Sequence, residues 1–383
     1  MNMLFPYLAR WRSANWSRYH QLLSALCRQG HRVMVLEPPP WPGARETNYT
    51  DLDVPLPEGM EVEELAVPLW RLRLPVGKLV KKGLAALAAR RRVSQLIGER
   101  QVDVLLLYNV PQVALAECAR GRCRVVFDVA DDLLAMLAAE SGRWAGLTVP
   151  LARACLRRLA RASNWVTTSA QTLVPELPGR VRYLPNGVDW QAVAEADGLA
   201  LRARWGQPLV GFVGAFEYAV DLALILEAAA RLPQVGFLLV GSGRCLPWLE
   251  SQVRARGLGN VHLPGPVPYP RNLDYVEALD IGLLPRVPGQ VADHAAPLKL
   301  LEYLALGKPV IATPMKETRA IAGEFVWEAR DGAEAAACIE RILAAPEAAA
   351  ARAAAGRERL RERLDWNRIA SEFAAVVSSG SDQ

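Results

Sequence analysis

The stretch Asp293-His-Ala-Ala-Pro-Leu-Lys-Leu-Leu-Glu-Tyr-Leu-Ala-Leu-Gly-Lys-Pro-Val-Ile-Ala-Thr313 reads as a loop, a short helix and a buried strand. Pro297 suits a first helical turn, where its missing N–H costs nothing, and Gly307 suits the residue that closes the last turn. The spacing predicts a helix from about Pro297 to Leu306, followed by the apolar strand Val310–Ala312. Lys299 and Glu302 stand three residues apart and share one face of that helix, beside N–H groups and a partial positive charge that attract phosphate. A cation for phosphate and a carboxylate for ribose hydroxyls would suit a nucleotide-sugar; the bland alternative is a solvated Lys and Glu on a surface helix.

Outward from this block, short apolar runs alternate with helical ones. Met3–Tyr7, Val33–Leu36, Val102–Leu107, Val125–Asp128 and Trp165–Thr168 read as strands, with helices near Tyr19–Arg28, Leu79–Glu99 and Val149–Ala162. A second set of strands follows at Val210–Val213, Gly236–Val240, Val261–Leu263, Ile281–Leu284 and Val310–Ala312. Such alternation is the pattern of parallel sheets with crossover helices, so the expected class is α/β with two Rossmann-like doubly wound domains. The turn signal Pro185-Asn-Gly falls between the two sets, which puts the domains at 1–183 and 184–360 with a terminal helix in 361–383. Pro346 should break the Ala-rich tail into two helices.

A chain of 383 residues exceeds what one core usually supports, in keeping with two domains. No apolar run reaches the length of a membrane span, and Met1-Asn2-Met3 opens no signal peptide, so a cytoplasmic protein is expected. The six cysteines are scattered without a Cys-x-x-Cys or paired His, which argues against a zinc site or a disulfide framework. Residues 1–180 carry 24 Lys and Arg against 16 Asp and Glu, a net of +8, while the whole chain is only +5. The excess peaks in Lys78-Leu-Val-Lys-Lys-Gly-Leu-Ala-Ala-Leu-Ala-Ala-Arg-Arg-Arg92, which reads either as a face for an anionic membrane or as a solvated helix. No nucleic-acid motif accompanies the charge.

The run Pro297-Leu-Lys-Leu-Leu-Glu-Tyr-Leu-Ala-Leu-Gly-Lys-Pro-Val310 resembles the C-terminal donor-binding motif of GT-B glycosyltransferases, particularly the group 1-like enzymes of bacterial cell-surface polysaccharides. Asn186-Gly-Val-Asp189 resembles the linker of that fold, in which the last helix returns to the N-terminal domain; Trp366, Ile369 and Phe373 would make that return. The resemblance implies that Glu302 binds ribose hydroxyls and that Pro297, Leu298 and Lys299 stand beside the diphosphate. Gly211-Phe-Val-Gly-Ala-Phe-Glu217 ends a strand in a Gly-containing turn that lets backbone approach a ligand, making Gly214 and Ala215 candidate diphosphate neighbours. Gly265, Pro266 and Val267 resemble the loop that holds the base. The chain departs from the pattern twice. His294 stands where the Glu-x7-Glu motif has its first Glu, and Glu217, Tyr218 and Asp221 replace the usual Arg and Lys clamp, which leaves Lys299 and Arg286 as the cationic partners.

On the other side, Val125-Val-Phe-Asp-Val-Ala-Asp-Asp132 ends a strand in three carboxylates, at the sheet edge where such folds bind ligands. Asp131 or Asp132 is the candidate catalytic base, the alternative being a helix N-cap. Asn15, Arg18 and His20 lie where the first strand turns into the first helix and are the acceptor-side candidates. No Walker loop, manganese-binding Asp-x-Asp or Gly-x-Gly-x-x-Gly opens either domain, which argues against a kinase, a GT-A transferase and a simple dehydrogenase. No metal and no cofactor are expected, the nucleotide-sugar being a substrate. The expected activity is sugar transfer to a lipid-linked or polysaccharide acceptor, with the protein cytoplasmic or peripheral on the inner face of the membrane. The competing readings are a nucleotide-sugar epimerase and an inactive scaffold that binds a partner or a saccharide.

Overall fold

The structure, a computed structural model, describes residues 1–12, 16–39, 56–67, 78–205 and 208–379, without the side chains of 78–81; Asn15, Lys78 and Lys81 as side chains lie outside that set. The first sheet is built from β1 (Asn2–Pro6), β2 (Arg32–Glu37), β3 (Met60–Glu64), β4 (Val104–Leu107), β5 (Arg124–Val129), β6 (Trp165–Thr168) and β7 (Val181–Tyr183). Their order among the described residues is β3-β2-β1-β4-β5-β6-β7, all parallel. The second comprises β8 (Leu209–Val213), β9 (Gly236–Val240), β10 (Val261–Gly265), β11 (Ile281–Leu284), β12 (Val310–Ala312) and β13 (Val326–Glu328), in the order β10-β9-β8-β11-β12-β13.

Both sheets are doubly wound. In each the order reverses at the first strand, between β1 and β4 and between β8 and β11, and that switch point opens a crevice at the carboxyl ends of the strands. Central strands are apolar on both faces because helices cover both, as in Val104–Leu107, Leu209–Val213 and Gly236–Val240, buried at every position. The expected strands are all present. Three edge strands, β3, β7 and β13, were not legible because they are short and carry charged or aromatic residues, as in Met-Glu-Val-Glu-Glu64.

In the first domain α1 (Arg18–Arg28) packs on one face; α2 (Lys78–Glu99), α3 (Val113–Ala119) and α5 (Ala145–Ala162) share the core of the other, with α4 (Leu133–Ser141) packed on α5. The terminal helix Trp366–Ser378 leaves the second domain and lies against α1. Trp366, Ile369 and Phe373 are fully buried with Met3, Phe5 and Leu22, so this return helix completes the first domain's core. No helix among the described residues is long and apolar enough to cross a membrane.

Candidate active site between the two sheets

Within Asp293–Thr313 the chain forms a helix at Leu298–Ala305. Pro297 is its N-cap in extended conformation rather than its first turn. At the other end Lys308 N–H donates to Tyr303 O and Gly307 N–H to Leu304 O, both at 2.9 Å, with Gly307 at φ +68°, the paired closure that a left-handed residue permits. Leu300, Leu301, Tyr303, Leu304 and Ala305 are buried, which anchors the helix and turns Lys299 and Glu302 into the cleft, both half-buried. The Tyr303 hydroxyl accepts from Val213 N–H at 2.9 Å and ties the helix to the end of β8.

Lys299 lies over Gly214. A Cβ on Gly214, whose φ is +151°, would overlap the Lys299 side chain, and a Cβ on Gly241 would strike Gly214 O. Backbone and cation therefore meet at the end of β8 only because both positions lack a side chain. Lys299 makes no hydrogen bond or ion pair among the described residues; its Nζ sits 5.6 Å from the Phe212 ring centroid. Burial pushes its ammonium below the ordinary range, with Glu302 opposing and Arg286 adding to the shift. Burial likewise lowers Arg286, just after β11, with Asp131 opposing, and its buried Nε has no hydrogen-bond partner among the described residues. Burial lifts the Glu302 carboxyl, Lys299 opposing. Two incompletely neutralised cations beside bare backbone constitute an anion site.

Glu217 and Asp221, which stand where a cationic clamp was expected, have structural work. Asp221 caps the helix Leu222–Arg231 by accepting from Leu224 N–H at 3.0 Å, and Glu217 pairs with Arg244 at 2.6 Å. Ala215 follows Gly214 in the same turn, and Gly265 ends β10 at φ +93°, with Pro266 and Val267 leading to Tyr269. Tyr269 stacks on Trp16 of the first domain at 5.0 Å and closes one rim of the cleft. A cavity of about 960 Å³ lies beside this rim, lined by Gln21, Arg28, Asp189 and Tyr269 but by none of the carboxyl-edge residues above.

The acceptor-side candidates separate. Asp132 Oδ1 caps α4 by accepting from Ala135 N–H at 2.9 Å, while Oδ2 lies 2.8 Å from His294 Nδ1 and accepts from Gln290 Nε2 at 3.0 Å. With both oxygens engaged it holds structure instead of acting as a free base. Asp131 makes no hydrogen bond or ion pair among the described residues. Asp131 is an exposed residue, yet desolvation of its carboxyl lifts it above the usual range, opposed by Arg286 and Lys82. His294 Nε2 makes no hydrogen bond among the described residues.

Arg18 and His20 are corrections. Arg18 is 3% exposed and its guanidinium is spent: Nε and Nη2 donate to Asp128 at 2.9 and 3.1 Å, Nη1 to Pro185 O and Asn186 Oδ1 at 2.9 and 3.0 Å. Asn186 in turn donates to Ala296 O at 2.7 Å, so a buried chain of contacts runs from β5 through α1 and the linker to the loop before Lys299. His20 is fully buried; its Nδ1 accepts from Ser17 N–H and its Nε2 donates to Trp11 O at 2.9 Å, which closes the start of α1. Burial pushes its imidazole down to about 4, so it is neutral near pH 7. Glu317 was not foreseen. Fully buried on the helix Lys316–Ala322, it accepts from Gln171 and Thr172 N–H across the domain boundary at 2.9 and 3.0 Å. Nothing in Lys316-Glu-Thr-Arg319 announces it, because its partners, two backbone N–H groups and the Thr172 hydroxyl, are 145 and more residues away.

Two facing Rossmann-like domains, a return helix and an anion site at the second domain's switch point define a GT-B glycosyltransferase. Family models agree: one described as glycosyl transferases group 1 matches residues 207–345, and one described as a glycosyl transferase 4-like domain matches residues 16–187. The chain belongs to the group 1-like glycosyltransferases. Bacillus subtilis (strain 168) TuaH, named for teichuronic acid biosynthesis, is 26% identical over 82% of this chain and 81% of its own. A phosphatidyl-myo-inositol mannosyltransferase of Mycolicibacterium smegmatis is 24% identical over 100% and 94%. The structure of Anabaena Alr3699/HepE with UDP and glucose superposes with a TM-score of 0.74, at 18% identity over 99% and 100% of the two chains.

Proposed function

We propose that this glycosyltransferase takes its sugar from a nucleoside-diphosphate sugar and passes it to a hydroxyl of a lipid-linked or growing saccharide, without a divalent metal. The observation that carries the donor reading is the pair Lys299 and Arg286, two desolvated cations at the Gly214 backbone. The acceptor oxygen forms a bond to the anomeric carbon as the bond to the diphosphate breaks, and the leaving group departs with the electron pair and growing negative charge. Lys299 and Arg286 neutralise that charge where a divalent ion would otherwise do so. Glu302 receives the ribose hydroxyls, and Gly265, Pro266 and Val267 frame the base. Asp131, which makes no hydrogen bond or ion pair among the described residues, takes the acceptor proton.

The UDP and glucose of the HepE structure support a nucleotide-sugar donor, and the names of TuaH and the phosphatidylinositol mannosyltransferase support surface-polymer and lipid acceptors. A lipid-linked acceptor places the protein on the inner face of an anionic membrane. On α2, Arg90 and Arg91 are exposed for such contact, whereas Arg92 is tied to Glu63 and Glu99 at 2.6 and 3.1 Å. The deciding experiment is thermal stabilisation and slow hydrolysis across UDP-, GDP-, ADP- and TDP-sugars, with and without a chelator. Stabilisation and hydrolysis of one nucleotide-sugar in the presence of chelator is the expected result; stabilisation without hydrolysis would favour the scaffold.

A further inference from the structure

The first domain gathers exposed large apolar side chains at one helix end, whereas Leu87 of α2 and Met136 of α4 stand exposed singly among the described residues. Trp144, Leu147 and Leu151 are 58%, 70% and 66% exposed, and they fall within eight consecutive residues at the start of α5. Leu147 and Leu151 are one turn apart on the outward face, opposite Ala152, Leu156 and Leu159, which are buried. Scattered exposed leucines need no explanation, but three large groups at one helix end form a patch.

Topology fixes where the patch lies. The last turn of α5 feeds the amino end of β6, so its first turn projects toward the opposite, carboxyl edge of the sheet, the edge that carries Asp131. The apolar tip therefore stands on the acceptor side of the cleft. Charge fixes what it meets. No acidic residue occurs from Ala145 to Ala162, Arg153, Arg157 and Arg161 are exposed, and Arg158 pairs with Glu117 of α3 at 2.6 Å. In the same helical layer α2 exposes Leu87, Arg90 and Arg91. A second copy of this surface would bring arginines against arginines, whereas anionic headgroups would neutralise them while the acyl boundary takes the apolar tip. Tryptophan at the edge of such a patch suits the headgroup level.

We propose that the start of α5 is a membrane wedge: Trp144, Leu147 and Leu151 enter the interfacial layer of an anionic bilayer, and the arginines behind them hold the headgroups. This rests on the lipid-linked acceptor reading above and names the element that brings the cleft to the lipid.

The test is co-sedimentation of the full-length protein with phosphatidylglycerol/phosphatidylcholine vesicles and with pure phosphatidylcholine vesicles, for wild type and for Leu147→Glu/Leu151→Glu. Both leucines are exposed, so the fold should survive, and nucleotide-sugar binding is measured on the same preparations without vesicles. The expected result is wild-type partitioning that requires the anionic lipid, a loss of about tenfold or more in the double variant, and unchanged donor binding. Wild type that stays in the supernatant, or a double variant that pellets like wild type, overturns the wedge while leaving the donor reading intact. If the double substitution instead abolishes a concentration-dependent self-association, the patch is a subunit contact and the wedge is wrong. Loss of donor binding in the wild type would sink the donor reading and not the wedge.

Discussion

Asp132 and His294 meet across the cleft, Oδ2 to Nδ1 at 2.8 Å, one residue from each domain. The same carboxylate starts α4 with its other oxygen. One side chain thus fixes a helix and a contact that exists only when the two sheets face each other at this separation. Asn at position 132 can still accept from Ala135 N–H, so Asp132→Asn should fold normally and lose mainly the charged cross-cleft contact. In a double-mutant cycle with His294→Gln, read on turnover, we expect a coupling of about 0.5–3 kcal/mol. Additive losses would show that the two residues act independently.

Lys299→Ala should weaken binding of a nucleoside diphosphate far more than binding of the nucleoside, because the deleted charge faces the phosphates. The difference should be about 1.5–3 kcal/mol, the scale of a charge-assisted hydrogen bond. Calorimetric titration with the two ligands separates the cases, and equal losses would assign Lys299 a packing role over Phe212.

The strands, the order of domains and the Lys299 helix could be read because hydrophobic periodicity and Pro/Gly punctuation are local signals. Contacts between distant segments left no such signal. Arg18 looks like a ligand-binding cation in Asn15-Trp-Ser-Arg-Tyr-His20, and only folding brings Asp128, 110 residues away, onto its guanidinium. The reverse holds for His294. A departure from the expected Glu was visible, but Asp132 as its partner was not, since that pairing depends on how far the domains close. Asp131 and Asp132 are neighbours with different fates because α4 begins at Leu133, so Asp132 becomes its cap and Asp131, one residue earlier, does not.

Glu302 should make donor affinity fall on acidification earlier than an ordinary glutamate would. Burial raises its pKa above 4.5, so as pH drops the carboxylate protonates inside the fold first and loses acceptor capacity for ribose. The stability of the ligand-free protein should move the other way. In the window between 4.5 and the raised value the folded state binds the proton more tightly, so this group's contribution to stability grows as pH falls through the window and is lost as pH rises. Glu302→Gln removes both trends. Affinity measured against pH for the two proteins decides it, and parallel curves would remove Glu302 from the site.

Gly214→Ala places a methyl group where the Lys299 side chain now lies, at a backbone angle that side chains rarely adopt. We expect a destabilisation of about 1–3 kcal/mol and a loss of diphosphate affinity as Lys299 is displaced. Adding Lys299→Ala should recover part of the stability, since the overlap disappears, while leaving affinity low. A double variant no more stable than Gly214→Ala alone would mean that backbone strain, and not contact with Lys299, sets the cost.

His20 gives the fold an acid-sensitive joint. Burial holds its pKa at about 4 against 6.5 for a free imidazole, so between those values the unfolded chain takes up a proton that the folded one refuses. Stability should therefore fall as pH drops from 6.5, by up to about 3 kcal/mol at pH 4, and level off below that, where folded His20 protonates as well. The neutral form is also the one the geometry requires, since Nδ1 accepts from Ser17 while Nε2 donates to Trp11 O. Carboxylates titrate over part of the same range, so the measurement is a difference: chemical unfolding of wild type and His20→Gln at matched pH. The variant should start less stable at pH 7, having lost the stack on Trp11 at 4.1 Å, and the gap should narrow as the pH falls. A gap that stays constant from pH 7 to 4 would show that His20 titrates alike in both states, and the burial argument for its neutrality would fail.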